Sequence, residues 1–132
     1  MRVTYHVARI LLGVMLIVVG LNGFLHFLPQ PPPRDFPQNA LAFNMLLNTT
    51  GYGYLVFGTQ VICGVLFLVN RYVPLAVVVM GAVFANIITF HLTMWPQTLV
   101  PMPILVLILW FLAAWPIRRQ FTSLFASKVE VA

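Results

Sequence analysis

Acidic side chains are nearly missing from this sequence. Asp35 and Glu130 are the two carboxylates among 132 residues. Charged residues of both signs make up 7% of the chain, against about 25% in a soluble domain. So little charge cannot clothe a water-facing surface, and the bilayer is the solvent this composition calls for. Cysteine occurs once, at Cys63, which excludes an intramolecular disulfide and a cysteine-based metal cluster. Cys63 lies inside an apolar run and reads as a small buried hydrophobe. The two carboxylates fall in a proline-rich loop and in the tail, so no metal site is expected. The sequence offers no nucleophile–base–acid constellation and no glycine-rich phosphate loop; Thr49 to Gly53 ends a helix. The seven basic residues are scattered, with no basic block interleaved with aromatics, so nucleic acid is not an expected partner.

What the chain has is apolar length, punctuated by proline. Hydrophobic residues make up 61% of it. Pro29, Pro31, Pro32, Pro33 and Pro37 follow the first apolar run, and Pro74 opens the third. Pro96, Pro101 and Pro103 separate the third from the fourth, and Pro116 closes the fourth. None interrupts the middle of a run, where it would remove a backbone bond. The runs predict spans over 10–28, 54–70, 74–94 and 99–117. Arg2 and Arg9 precede the first run, which has no charge from 10 to 28 and no small-residue cleavage site after it. It therefore reads as a retained span and not as a signal peptide. Residues 39–50 have a helical pattern but are too short to cross, which predicts an interfacial or re-entrant helix. Gly13, Gly20 and Gly23 share one face of span one, and Gly58 and Gly64 lie in span two. Such small residues let helices approach closely. The expectation is an all-α, four-transmembrane-helix bundle forming one membrane domain, with a short interfacial helix between spans one and two. Span four, without Asn, Gln or His, reads as a packing and lipid-facing helix, and Phe121, Leu124 and Phe125 as a short surface helix.

Four spans bring both ends of the chain to one side. Arg2, Arg9, Arg71, Arg118, Arg119 and Lys128 then face that side, and Arg34 alone faces the other. The positive-inside rule makes the crowded side cytoplasmic. That orientation places every strongly polar intramembrane residue in the outer half. Asn22 and Gln60 fall ~9 Å deep, Asn86 ~13 Å and His91 ~6 Å, with His26 within a turn of the end. Asn86, Thr89 and Thr93 share a stripe, and His91 is set away from it.

Two readings of Asn22, His26, Gln60, Asn86 and His91 stand side by side. In one, they join helices by hydrogen bonds worth about 0.6 kcal/mol each. In the other, they line a small outward-opening pocket for a ligand such as a quinone headgroup, whose oxygens suit Asn, Gln and His. Haem held by His26 and His91 has the minimum two ligands, but nothing else in the sequence pins a haem. The bilayer is the first partner; further membrane subunits or a second copy of the chain are the others. A small transporter is a third reading, without a visible internal duplication to favour it.

Several stretches taken together resemble the DoxX-like family of small four-helix membrane proteins. They are Ala8 to Gly13, Gly20 to His26, Phe57 to Gly64, and Asn86 to His91. The resemblance covers nearly the whole chain. It implies a multi-pass protein of a bacterial-type inner (plasma) membrane. It also implies a subunit of a quinone-linked redox complex, such as the thiosulfate:quinone oxidoreductases of some relatives. A structural or assembly subunit without chemistry of its own is the alternative. Gln60 stands where larger relatives often carry an acidic residue, which weighs against proton handling there.

Overall fold

Proline and left-handed residues set the helix boundaries in the computed structural model, which describes residues 1–132. Five α-helices form, with no strand: α1 (Arg2–Leu25), α2 (Gln38–Thr49), α3 (Gly53–Val69), α4 (Val73–Met94) and α5 (Met102–Ala114). Pro37 and Pro101 stand at the N-caps of α2 and α5, and Pro74 and Pro103 occupy the first turns of α4 and α5. A proline there sacrifices no hydrogen bond, because those N–H groups have no partner within the helix. Short 3₁₀ turns cover Pro33–Asp35 and Pro96–Thr98. α1 stops at His26 and α3 at Asn70, both in the left-handed region, and Tyr72 turns left-handed just before α4. The α3–α4 connection is thus a tight turn that makes the two helices antiparallel neighbours.

Three helical stretches are long and apolar enough to cross a membrane: α1, α4, and α5 with the turns that continue it to Phe125. A fourth exists if α2 and α3, which meet at 80°, are taken as one bent span. Large apolar side chains such as Val14, Leu55, Ile62, Leu75, Ile108 and Phe111 face outward, as they do in a lipid-solvated protein.

α1 packs mainly on α3, and glycine is the reason the two helices come so close. A Cβ on Gly13 would lie 2.9 Å from the Gly64 carbonyl oxygen, and one on Gly64 would lie 2.9 Å from that of Gly13. Gly20 sits equally tight against the Phe57 carbonyl, and Gly23 lies under the Phe57 ring. Gly58 has no such role, since the nearest atom to its Cβ position is Phe24 Cζ at 3.9 Å. The core beside this seam is formed by Leu12, Phe67 and Met80, with Ala8, Ala76, Phe84 and Ala113 around them. α5 closes the bundle through Trp110, whose Nε1 donates to the Val77 carbonyl of α4 at 2.9 Å. Its ring lies over Gly81, 3.2 Å from that residue's Cβ position.

Two helices differ from the sequence expectation at their ends. The first helix begins at Arg2, eight residues early, and ends at Leu25, because His26 breaks it. The fourth run is not one α-helix over 99–117. α5 occupies Met102–Ala114 and tightens into a 3₁₀ helix over Trp115–Phe125, which also absorbs the expected surface helix. Pro116 explains the change. It has no N–H to give, and its ring crowds the carbonyl four residues back.

Arg9, read from the sequence as a topology signal alone, has a structural role as well. It is 6% exposed. Its Nη1 donates to the Phe67 and Leu68 carbonyls, the latter at 3.0 Å. Both lie in the last turn of α3, where carbonyls lack the usual donor four residues on; that of Phe67 also accepts from the Asn70 N–H at 3.4 Å. A cation against the negative end of the α3 dipole is well placed. Beside it, Tyr5 Oη donates to Asn70 Oδ1 at 3.1 Å, so the start of α1 is clamped to the end of α3.

Candidate functional site

A cavity of about 400 Å³ lies between α2, α3 and α4. α3 supplies Val56, Phe57 and Gln60. α4 supplies Ala82, Val83, Asn86, Ile87, Phe90 and His91. α2 covers it with Phe43, Asn44 and Leu47, and Tyr52 closes the corner. The sharp angle between α2 and α3 creates this space. Gly51, at φ +74°, takes the turn, and a side chain on buried Gly53 would strike the Leu47 carbonyl and Phe57. Phe43 on α2 then rests against Phe90 on α4, ring centroids 5.4 Å apart. Phe36 of the proline-rich loop packs on Trp95 at 4.4 Å. These two aromatic contacts hold the cover down on the end of α4.

Within this apolar shell the polar groups are few. Gln60 is 3% exposed, and its Oε1 is buried with no hydrogen-bond partner. A buried amide oxygen left unpaired costs about 1–3 kcal/mol, so its place on a cavity wall marks a point where a ligand donor would be welcome. Asn86 uses Nδ2 on the Ala82 carbonyl at 2.9 Å. His91 Nδ1 lies 2.7 Å from Thr98 Oγ1, which in turn donates to the Trp95 carbonyl at 2.9 Å. Asn44 Oδ1 accepts from Asn48 Nδ2 at 2.6 Å.

The five residues singled out in the sequence divide here. Gln60, Asn86 and His91 meet around one cavity; Asn22 and His26 do not line it. Asn22 Oδ1 instead accepts from the Leu28 N–H at 2.7 Å, and its carbonyl accepts from the His26 N–H at 2.8 Å. His26 is exposed and is the left-handed residue that ends α1. The pair is a helix stop, two residues short of the proline-rich loop. His91, expected away from the Asn86 stripe, joins the same cavity. It stands about 140° round the helix from Asn86, and the cavity follows the α4 surface past Ile87 and Phe90 to reach it. None of the five makes a side-chain hydrogen bond to another long helix. The bonds that do cross between helices come from Arg9, Tyr5 and Trp110.

Asn44 and Tyr52 were not singled out as site residues. Asn44 was readable as one of an Asn pair four apart on a short helix, and Tyr52 carried no signal beyond its glycine neighbours. The class the structure defines is an all-α protein with helices long and apolar enough for a multi-pass membrane protein. Compared with protein-family models, with curated proteins and with solved structures, the chain matches none of them.

Proposed function

We propose that this chain is a DoxX-like membrane subunit of a quinone-linked redox complex, and that the α2–α3–α4 cavity receives the quinone headgroup. The observation that carries the reading is Gln60, a buried amide with an unpartnered oxygen at the wall of an aromatic-lined cavity. Cavities of this size hold a single substituted ring, with a few polar groups fixing its orientation. Phe57, Phe90 and Phe43 supply faces for the ring, and Gln60, Asn86 and His91 supply polar atoms for its oxygens.

The proposal includes four crossings with both termini cytoplasmic. α3 alone is 17 residues, ~26 Å long, and then serves as the second span while α2 lies in the outer interface. The Tyr5–Asn70 and Trp110–Val77 bonds support this arrangement. They gather the start of α1, the α3–α4 turn and the end of α5, hence Arg2, Arg71, Arg118 and Arg119, at one end. That is the end the positive-inside rule assigns to the cytoplasm. The membrane is then a bacterial-type inner (plasma) membrane, and the redox partners are other subunits held at the bundle's outer faces.

Quinone content tests the reading. Protein purified in native lipid nanodiscs should retain quinone on solvent extraction, and Gln60→Leu should lose most of it. The same substitution should raise thermal stability by about 1 kcal/mol, since it removes an unpaired buried acceptor. A wild-type protein that carries no quinone and takes up none when it is added overturns the proposal. A stable homo-oligomer with no copurifying redox protein overturns the subunit role.

A further inference from the structure

We infer that the cavity selects the reduced, hydroxyl-bearing form of its ring ligand over the oxidised carbonyl form, and that Thr98 sets this preference by fixing the tautomer of His91. The inference rests on the quinone reading above.

The argument is a count of donors and acceptors. The Trp95 carbonyl can only accept, so the bond from Thr98 Oγ1 uses the hydroxyl proton. Thr98 Oγ1 therefore meets His91 Nδ1 as an acceptor, and the neutral imidazole carries its proton on Nδ1. His91 Nε2 is left as a bare lone pair. Asn86 is fixed in the same way. Its Nδ2 lies on the Ala82 carbonyl, and the flipped amide would set two oxygens face to face, so Oδ1 and the second Nδ2 hydrogen are left free. Asn86 and Gln60, whose Oε1 has no partner, each offer both an N–H and an oxygen and so suit either form of the ligand, whereas His91 Nε2 can only accept. On the α2 cover, Asn44 spends Oδ1 on Asn48, which leaves its Nδ2 as a donor.

A ring hydroxyl both donates and accepts, so it satisfies either wall. A ring carbonyl only accepts; it suits the three amides but sets its lone pairs against that of His91 Nε2. One bond left unmade at a desolvated site is worth about tenfold in affinity. Thr98 is not among the residues lining the cavity and acts through His91, as a positioning residue.

The test uses the full chain in nanodiscs under anaerobic conditions at a pH where imidazole is neutral. A short-chain benzoquinone and its chemically reduced quinol are titrated separately by calorimetry. The quinol should bind about tenfold more tightly. Thr98→Val removes the acceptor for Nδ1–H and lets the ring carry its proton on Nε2, so the ratio should fall to about one or reverse. Thr98→Ser should keep it. In histidine-labelled protein, the ¹⁵N shifts of His91 should show Nδ1–H in the wild type and lose that signature in Thr98→Val. His91→Phe, which keeps a ring and removes both nitrogens, should also bring the ratio to about one and serves if Thr98→Val does not fold. Equal wild-type affinities, or a ratio unchanged in Thr98→Val and His91→Phe, overturn the inference while leaving the quinone site standing. Binding of neither form overturns both.

Discussion

Replacing Gly64 with alanine should destabilise the protein, whereas the same change at Gly58, less than two turns away on the same helix, should not. The added methyl at Gly64 meets Ile17 Cγ1 at 2.8 Å, the Gly13 carbonyl at 2.9 Å and the Ile17 nitrogen at 3.1 Å. Two of those three atoms are backbone and cannot rotate aside. Ordinary contact begins at 3.4 Å, so α1 and α3 must part by about 0.5 Å, a gap that forfeits a quarter or more of each dispersion contact along the seam. Overpacking of this kind costs about 1–3 kcal/mol. The better helix propensity of alanine returns up to about 1 kcal/mol, leaving a net loss of up to about 2 kcal/mol. Gly58→Ala has only Phe24 Cζ near it, at 3.9 Å, so it keeps the propensity gain and adds no clash. The two alanines should therefore move stability in opposite directions. Gly13→Ala should resemble Gly64→Ala. The double variant should cost less than the sum, because one separation of the helices relieves both methyls. Reversible unfolding in mixed micelles, followed by circular dichroism, measures all four. Equal midpoints for Gly64→Ala and Gly58→Ala, or strict additivity in the double variant, would refute the backbone-contact account.

Arg9→Met should lose about 1.5–3 kcal/mol, the worth of charge-assisted bonds to the end of α3, and Arg9→Lys should fall between, since an ammonium cannot reproduce the fork; unfolding midpoints in the same micelles decide. His26→Gly should be neutral or stabilising by up to about 1 kcal/mol, because glycine adopts the left-handed stop without strain. Loss of quinone from that variant, with the fold intact, would show that His26 does more than end α1. Trp110→Phe should cost about 1 kcal/mol through the lost bond to Val77, read as a lower midpoint with unchanged helicity.

Much of the architecture was readable because proline and apolar run length act locally. The edges of α4, the tight turn at Asn70 to Tyr72 and the short helix after the proline-rich loop all follow from residues at those positions. The close approach at Gly13, Gly20 and Gly64 was visible as a stripe, while Gly58 shares the composition but faces open space. The site was only partly readable. Depth along a span depends on residue count, which the sequence supplies, and it grouped Gln60, Asn86 and His91. Which side of a helix a cavity occupies depends on the 80° angle at Gly51 to Gly53, and no local pattern specifies that angle. Asn22 and His26 shared the depth but were engaged in stopping their own helix. The burial of Arg9 was hidden for a similar reason: the carbonyls that receive it lie 58 and 59 residues further along the chain.

The contact between Arg9 and the end of α3 has a consequence for assembly. A seam made of glycines specifies closeness more strongly than position. Gly13 and Gly20 are seven residues apart, a repeat of ~10 Å along the helix, so Gly64 has two comparable places to dock on α1. A guanidinium that must reach the final carbonyls of α3 has one. Sliding α3 by a single turn, ~5.4 Å, strands the cation in hydrocarbon and leaves the Leu68 carbonyl bare, both costly in a bilayer. Arg9 is therefore a registration pin. It lets the pair distinguish correct from shifted docking only after the far end of α3 has arrived, so the check comes late, when both helices are already in the membrane.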